Sequence, residues 1–142
     1  MREFILVRHA SAGSREEWSG SDRLRPLDDR GRRQAESLVA ALAGYPVERI
    51  LSSPSVRCTE TVLPLAGERG LDVEERLELG EGASRESALA LVDGVEGPGF
   101  VACTHGDVVE ELLGERMKKG EARILVCEPG SLRTLATIRP QA

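Results

Sequence analysis

Short apolar runs alternate along the chain with segments that carry apolar residues at helical spacing. Residues 3–8 form a near-continuous apolar run, which is typical of a strand covered on both faces. A helix is predicted from about Asp29 to Ala43, because apolar residues recur there every three or four positions and Gly44 follows. Further strands are predicted at 48–53, 72–75 and 99–104, further helices at 54–69, 84–93 and 107–113, and a hairpin at the C-terminus.

This order of elements predicts the fold class. Strands that alternate with helices are typical of an α/β domain with a mainly parallel sheet, and the terminal hairpin adds an antiparallel edge. A length of 142 residues suits one domain, so we predict a single three-layer domain over 1–142. Pro64 falls inside the second helix and predicts a kink or a division there.

Composition and charge exclude several function classes. A net charge of −5 argues against nucleic-acid binding, because binding to the phosphate backbone needs a cationic protein surface. No stretch approaches the roughly 20 apolar residues that cross a bilayer, and the N-terminus carries no cleavage site of the secretory type. The three cysteines lack metal-binding spacing. We therefore expect a cytoplasmic protein without nucleic-acid or membrane partners; the sequence does not indicate its oligomeric state.

Four polar residues fall where ligands of such a sheet bind, at the carboxyl ends of the strands. Arg8 and His9 follow the first strand, Arg57 opens the helix after the second, and His105 follows the fourth. A neutral imidazole can attack phosphorus and form a phosphohistidine. Arginine and a second histidine can neutralise the charge on the oxygens of a transferring phosphoryl group. The occurrence of two arginines and two histidines at one edge of the predicted sheet therefore predicts a phosphoryl-transfer site.

A proton donor for the leaving group is sought among nearby carboxylates. Glu78 and Glu81 are the candidates, because both lie on the Gly-containing loop at 78–84.

Four segments resemble the motifs of the histidine phosphatase superfamily, which includes the cofactor-dependent phosphoglycerate mutases. LVRHA resembles its Arg-His-Gly signature, LSSPSVRCTET its Ser-Ser-Pro-x-x-Arg-x-x-x-Thr segment, and THGDVV its second-histidine motif. RPLDDRGRRQA, at 25–35, matches the stretch between the first two. The resemblance covers the chain from about 3 to 113 and implies a phosphoglycerate mutase-like fold.

The resemblance also implies roles for individual residues. His9 is the expected nucleophile, Glu78 the expected proton donor with Glu81 as the alternative, and Arg25 a substrate-binding residue. Arg8, Arg57 and His105 are expected to form the phosphate pocket. No cofactor and no metal ion are expected.

Two departures from the family pattern indicate its small, SixA-type branch of phosphohistidine phosphatases. Ala10 stands where the signature usually has Gly, and the chain lacks the insertions that cover the site in mutases and large acid phosphatases. An open site suits a phosphorylated small molecule or a phosphohistidine-bearing protein as substrate. We expect hydrolysis through a covalent phosphohistidine on His9.

Other functions compete with this expectation. A phosphoglycerate mutase-type transferase would share the nucleophile, and a regulatory module would bind phosphorylated ligands with little turnover. Cys127 and Arg133 have the C-x5-R spacing of cysteine-dependent phosphatases, but a strand rather than a helix is predicted after Arg133. A metal hydrolase is disfavoured because no H-E-x-x-H or similar cluster occurs.

Overall fold

Six strands form one mixed sheet in a computed structural model of the chain, which describes residues 2–97 and 99–141. The strands are β1 (Arg2–Arg8), β2 (Arg49–Ser52), β3 (Val73–Glu75), β4 (Phe100–Thr104), β5 (Ala122–Glu128) and β6 (Ser131–Ile138). Their order across the sheet is β3-β2-β4-β1-β5-β6. The first four strands of that order run parallel, whereas β5 and β6 pair antiparallel.

Helices cover both faces of this sheet. They are α1 (Asp29–Ala41), α2 (Val56–Arg69), α3 (Arg85–Gly94) and α4 (Gly106–Leu113). Alternate residues of a strand point to opposite faces, so Ile5 and Val7 pack with residues of α1 and α2, while Phe4 and Leu6 pack with residues of α3 and α4. The predicted three-layer α/β fold, with a mainly parallel sheet and an antiparallel edge, is confirmed.

Polar caps set the ends of the helices. The Asp28 side chain accepts a hydrogen bond from the backbone nitrogen of Gly31 at 2.8 Å and begins α1. At the start of α3, the Ser84 side chain accepts a hydrogen bond from the backbone nitrogen of Ser87 at 3.1 Å. Gly70, with a φ of 66°, ends α2 in the left-handed conformation that favours glycine.

The second helix departs from the expectation in two respects. It begins at Val56 rather than Pro54, because Ser55 keeps extended backbone as its N-cap. It also runs without interruption through Pro64. A proline removes one backbone hydrogen bond, and the buried residues Val62 and Leu65 on either side anchor the helix to the core. The predicted division at Pro64 is therefore wrong.

No helix in the described part of the chain is long and apolar enough to span a bilayer.

Candidate functional site

His9 lies immediately after β1, and its ring is held in one tautomer. Its Nδ1 lies 2.8 Å from the backbone oxygen of Ala10. A carbonyl oxygen can only accept, so Nδ1 carries the proton and Nε2 keeps a free lone pair. The side of the ring that can attack an electrophile is therefore defined by the backbone.

Burial keeps this ring neutral. The residue is 6% exposed, and burial lowers the pKa of His9 to about 3, with smaller lowering contributions from His105, Arg57 and Arg8. The hydrogen bond to Ala10 raises the pKa but does not offset the burial. At neutral pH the Nε2 lone pair is thus available for nucleophilic attack.

Arg8 lies beside His9 with its guanidinium packed against the start of α4. Its Nη1 donates to the backbone oxygen of Met117 at 2.7 Å. A Cβ at Gly106 would lie 2.8 Å from Nη2 of Arg8, so a larger residue there would displace the Arg8 guanidinium from this position. Burial lowers the pKa of Arg8, and the neighbouring Arg116 lowers it further. Its Nε is a buried donor with no hydrogen-bond partner among the described residues.

Arg57 is the most deeply buried cation of the site, at 1% exposed. From the first turn of α2 its Nη1 donates to the backbone oxygen of Asp22 at 2.8 Å, and its Nη2 donates to Oδ2 of that residue at 3.1 Å. The same Nη2 lies 3.6 Å from Oε1 of Glu81. As in Arg8, Nε is buried and has no partner within the described ranges.

His105 follows β4 and faces His9 across a short gap. The two ring centroids are 5.4 Å apart, with an angle of 69° between the planes. Nε2 of His105 lies 2.8 Å from the hydroxyl oxygen of Ser53, and Nδ1 lies 3.5 Å from Nη2 of Arg57. The ring is thus oriented from behind by Ser53 and presents Nδ1 toward the guanidinium.

These four side chains open into one cavity of about 360 Å³. Its lining comprises Arg8, His9, Arg15, Arg25, Arg57, Glu81, His105, Gly106, Asp107, Glu110, Arg116, Met117 and Lys119. His9, whose Nε2 keeps a free lone pair, therefore lines the same space as Arg8 and Arg57. This arrangement can bind a phosphoryl group and accept it covalently.

Comparison with known proteins gives the family. The model of the histidine phosphatase superfamily (branch 1) matches residues 4–86. The chain belongs to the histidine phosphatase superfamily. This confirms the predicted resemblance.

Solved histidine phosphatases share the fold. SixA from Agrobacterium tumefaciens superposes with a TM-score of 0.81 at 22% identity, and the match covers 98% of each chain. The protein histidine phosphatase SixA in complex with tungstate gives a TM-score of 0.78 at 22% identity, with 97% of each chain covered. The predicted likeness to the small SixA-type branch therefore holds at the level of the fold.

A curated relative is more similar in sequence. The 8-oxo-(d)GTP phosphatase of Mycolicibacterium smegmatis is 38% identical over an alignment of 116 residues, and the match covers 77% of this chain and 35% of the relative. The chain thus spans about a third of the length of that relative.

The two carboxylates predicted as proton donors lie in different parts of the structure. Glu81 lines the cavity with His9, and its Oε2 is 2.8 Å from Nη2 of Arg15. Glu78 lines a separate depression that it shares with Arg49 and Arg76. A short 3-10 turn over Leu77–Leu79 buries Leu79 against the core. The structure therefore does not bring Glu78 into the cavity with His9.

Arg25 lines the cavity, but two of its nitrogen atoms donate hydrogen bonds to the loop that carries it. Its Nε donates to Oδ1 of Asp22 at 3.0 Å, and its Nη1 donates to the backbone oxygen of Ala12. Hydrogen bonds from Arg25 and the cations Arg57 and Arg15 lower the pKa of Asp22, although burial alone would raise it. Arg25 thus fixes the loop at the mouth of the cavity.

Several residues that line the cavity or contact its lining had no counterpart among the sequence-based candidates. Asp22, which binds Arg57, lies in a polar loop without a recognisable motif. Met117 and Lys119 follow α4 and reach the cavity through a tight turn. The glycine at 120, directly after two lysines, is the signal that predicts a turn presenting a cation there.

Proposed function

We propose that this histidine phosphatase hydrolyses a phosphorylated small molecule or a phosphohistidine-bearing protein through a covalent phosphohistidine on His9. One observation carries the proposal: the free Nε2 of a neutral, backbone-oriented His9 faces a cavity lined by Arg8, Arg57 and His105. The chain also belongs to a superfamily with phosphatase homologues, which supports the proposal.

In the first step, Nε2 of His9 attacks phosphorus and the bond to the leaving group breaks. The ring gains positive charge as the new bond forms, and the Ala10 carbonyl stabilises that charge through Nδ1–H. Water then attacks the phosphohistidine, releases inorganic phosphate and returns the neutral ring.

The cations stabilise the charge that spreads over the three equatorial oxygens of the phosphoryl group. Arg8 and Arg57 both line the cavity, where guanidinium donors can bond the oxygens of a phosphoryl group. Because these donors are fixed by buried contacts, little reorganisation is needed when charge develops. The phosphate pocket thus consists of Arg8, Arg57 and His105.

Of the two carboxylates expected to protonate a leaving group, we assign that role to Glu81, which lines the cavity. Glu81→Gln is expected to lower kcat on an alkyl phosphate by ~10²-fold, because an alkoxide needs a proton to depart. The loss on p-nitrophenyl phosphate is expected to be much smaller, since nitrophenolate departs without one. Steady-state kinetics with both substrates measure the difference.

Glu78→Gln is the matched control, because Glu78 lies on the same loop but lines another depression. It is expected to behave as wild type with both substrates. Equal losses in Glu81→Gln on the two substrates would contradict the assignment of a proton donor to Glu81.

Direct trapping of the intermediate tests the proposed mechanism. Wild-type protein mixed with a phosphatase substrate and quenched in alkali is expected to carry an acid-labile phosphoryl group on His9, located by peptide mass spectrometry. Cys127→Ser is expected to give the same label. Label on Cys127, or product formation in a single turnover without any phosphoenzyme, would refute the mechanism.

A further inference from the structure

The segment that follows α4 is tied to the strand end that carries the nucleophile. Besides the contact of Arg8 with Met117, the backbone nitrogen of Gly120 donates to the backbone oxygens of Arg8 at 3.1 Å and His9 at 3.0 Å. The backbone nitrogen of Arg8 donates to the oxygen of Glu121 at 3.1 Å. Residues 117–121 are therefore fixed against the catalytic histidine.

A tight turn within this segment places Lys119 at its corner. The backbone nitrogen of Glu121 donates to the oxygen of Lys118 at 3.0 Å, and Gly120 takes a φ of 84°, which a side chain would disfavour. The buried carboxylate of Glu121 accepts from the nitrogen of Lys118 at 3.0 Å and pairs with Arg123 at 2.9 Å. The backbone of Lys119 is thus held rigidly beside His9.

Lys119 is an exposed residue that lines the cavity. Within residues 2–97 and 99–141, no group forms a hydrogen bond or ion pair with it, although carboxylates partner Arg15, Arg25 and Arg116. Burial lowers the pKa of Lys119, and so do the neighbouring cations Arg8, Arg25 and Arg57, whereas the carboxylate of Asp28 raises it by a smaller amount. A cation held near other cations is stabilised when an anion binds among them.

The cavity carries more positive charge than one phosphoryl group needs. Six of its lining residues are Arg or Lys and three are acidic, in a chain whose net charge is −5. Arg8, Arg57 and His105 already serve the transferring group in the proposed mechanism. Lys119 is a further cation that is available to a different part of the substrate.

We propose that Lys119 binds a second phosphate, joined through a bridging oxygen to the phosphoryl group that His9 accepts. The substrate class is then a phosphoanhydride, such as a nucleoside diphosphate or triphosphate. This inference rests on the proposed function of His9.

The chemistry of the step balances with water alone. Nε2 of His9 bonds to the terminal phosphorus, and the bond from phosphorus to the bridging oxygen breaks with its electron pair remaining on that oxygen. The shortened phosphate chain leaves, with Lys119 neutralising its new charge. Water then hydrolyses the phosphohistidine to inorganic phosphate and free His9.

The carboxylates of the cavity are consistent with such a leaving group. Glu81 lies between Arg15 and Arg57, and Oδ2 of Asp107 accepts a hydrogen bond from the backbone nitrogen of Gly82 at 2.8 Å. Such a leaving group does not need the proton that Glu81 supplies to an alkoxide. A phosphate leaving group departs without prior protonation, so a cation serves it better than an acid.

Paired substrates test the role of Lys119. The measured quantity is the ratio of kcat/KM for the terminal phosphate of a nucleoside diphosphate to kcat/KM for p-nitrophenyl phosphate, which has one phosphoryl group. Lys119→Gln is expected to lower this ratio by about 10-fold or more, the usual effect of losing a hydrogen bond to a charged group. Lys119→Arg is expected to keep most of the wild-type ratio, because the positive charge remains.

Lys118→Gln is the matched control, since Lys118 is the adjacent lysine and does not line the cavity. It is expected to leave the ratio unchanged. An unchanged ratio in Lys119→Gln, whether both activities fall together or neither changes, would overturn the proposal. So would wild-type protein that hydrolyses p-nitrophenyl phosphate through His9 but not the diphosphate. Absence of a phosphoenzyme with either substrate would instead refute the proposed function.

Discussion

His9→Ala is expected to lower kcat by ~10⁴-fold or more, with loss of the trapped phosphoenzyme. The effect is this large because the variant lacks the atom that bonds to phosphorus, and no second histidine can replace it. His105, the only other histidine of the chain, is oriented by Ser53 and faces Arg57. The loss of kcat is measured from the inorganic phosphate released in stopped assays.

A folded but inactive variant is needed to interpret that result. His9→Gln keeps a polar side chain of similar length, and thermal unfolding of both variants shows whether the fold remains. We expect cooperative unfolding in each, because the core residues around β1 are unchanged. Turnover by folded His9→Ala at more than a few per cent of the wild-type rate would show that another group accepts the phosphoryl.

Arg57→Ala is expected to reduce kcat by ~10² to 10³-fold, the usual cost of removing a fixed donor to a developing anion. This variant also removes one of the two arginines that Asp22 and Glu81 share and leaves them only Arg15 in common, so the carboxylates would repel an incoming phosphate more strongly. We therefore expect KM to rise as well. Steady-state kinetics on a single-phosphoryl substrate separate the two constants.

Arg57→Lys separates geometry from charge. Lysine keeps the positive charge but lacks the planar fork that serves Asp22 and a phosphoryl oxygen together, so most of the loss in kcat is expected to remain. Arg49→Lys is the control, because Arg49 also pairs with a carboxylate but lies outside the cavity. Its Nη2 is 2.7 Å from Oε1 of Glu74. If Arg57→Lys had wild-type kcat, charge alone would account for the role of Arg57.

The placement of four site residues could be predicted from the sequence, for a simple physical reason. Arg8, His9 and His105 directly follow strands, and Arg57 begins a helix directly after one. Parallel strands bring their carboxyl ends to one edge, so residues at those ends meet wherever the sheet forms. Short apolar runs are enough to locate the strands and therefore this edge.

The remaining features depend on contacts that local patterns do not encode. Glu78 and Glu81 are three residues apart, and which of them faces the cavity is decided by a single 3-10 turn that buries Leu79. Lys119 reaches the cavity only because its turn bonds to Arg8 and His9, which are more than a hundred residues away in the chain. Pro64 is accommodated by the packing on either side of it.

The order of strands has a consequence for how the site comes into existence during folding. His9 and His105 extend from the adjacent strands β1 and β4, while Arg57 follows β2 on the other side of β4. The strand β4, which lies between the other two in the sheet, is translated last of the three. Because His105 follows β4, a nascent chain contains all three of these cavity residues only after residue 105 has been added. No amino-terminal fragment that ends before β4 can therefore assemble this cavity, even where β1 and β2 are present.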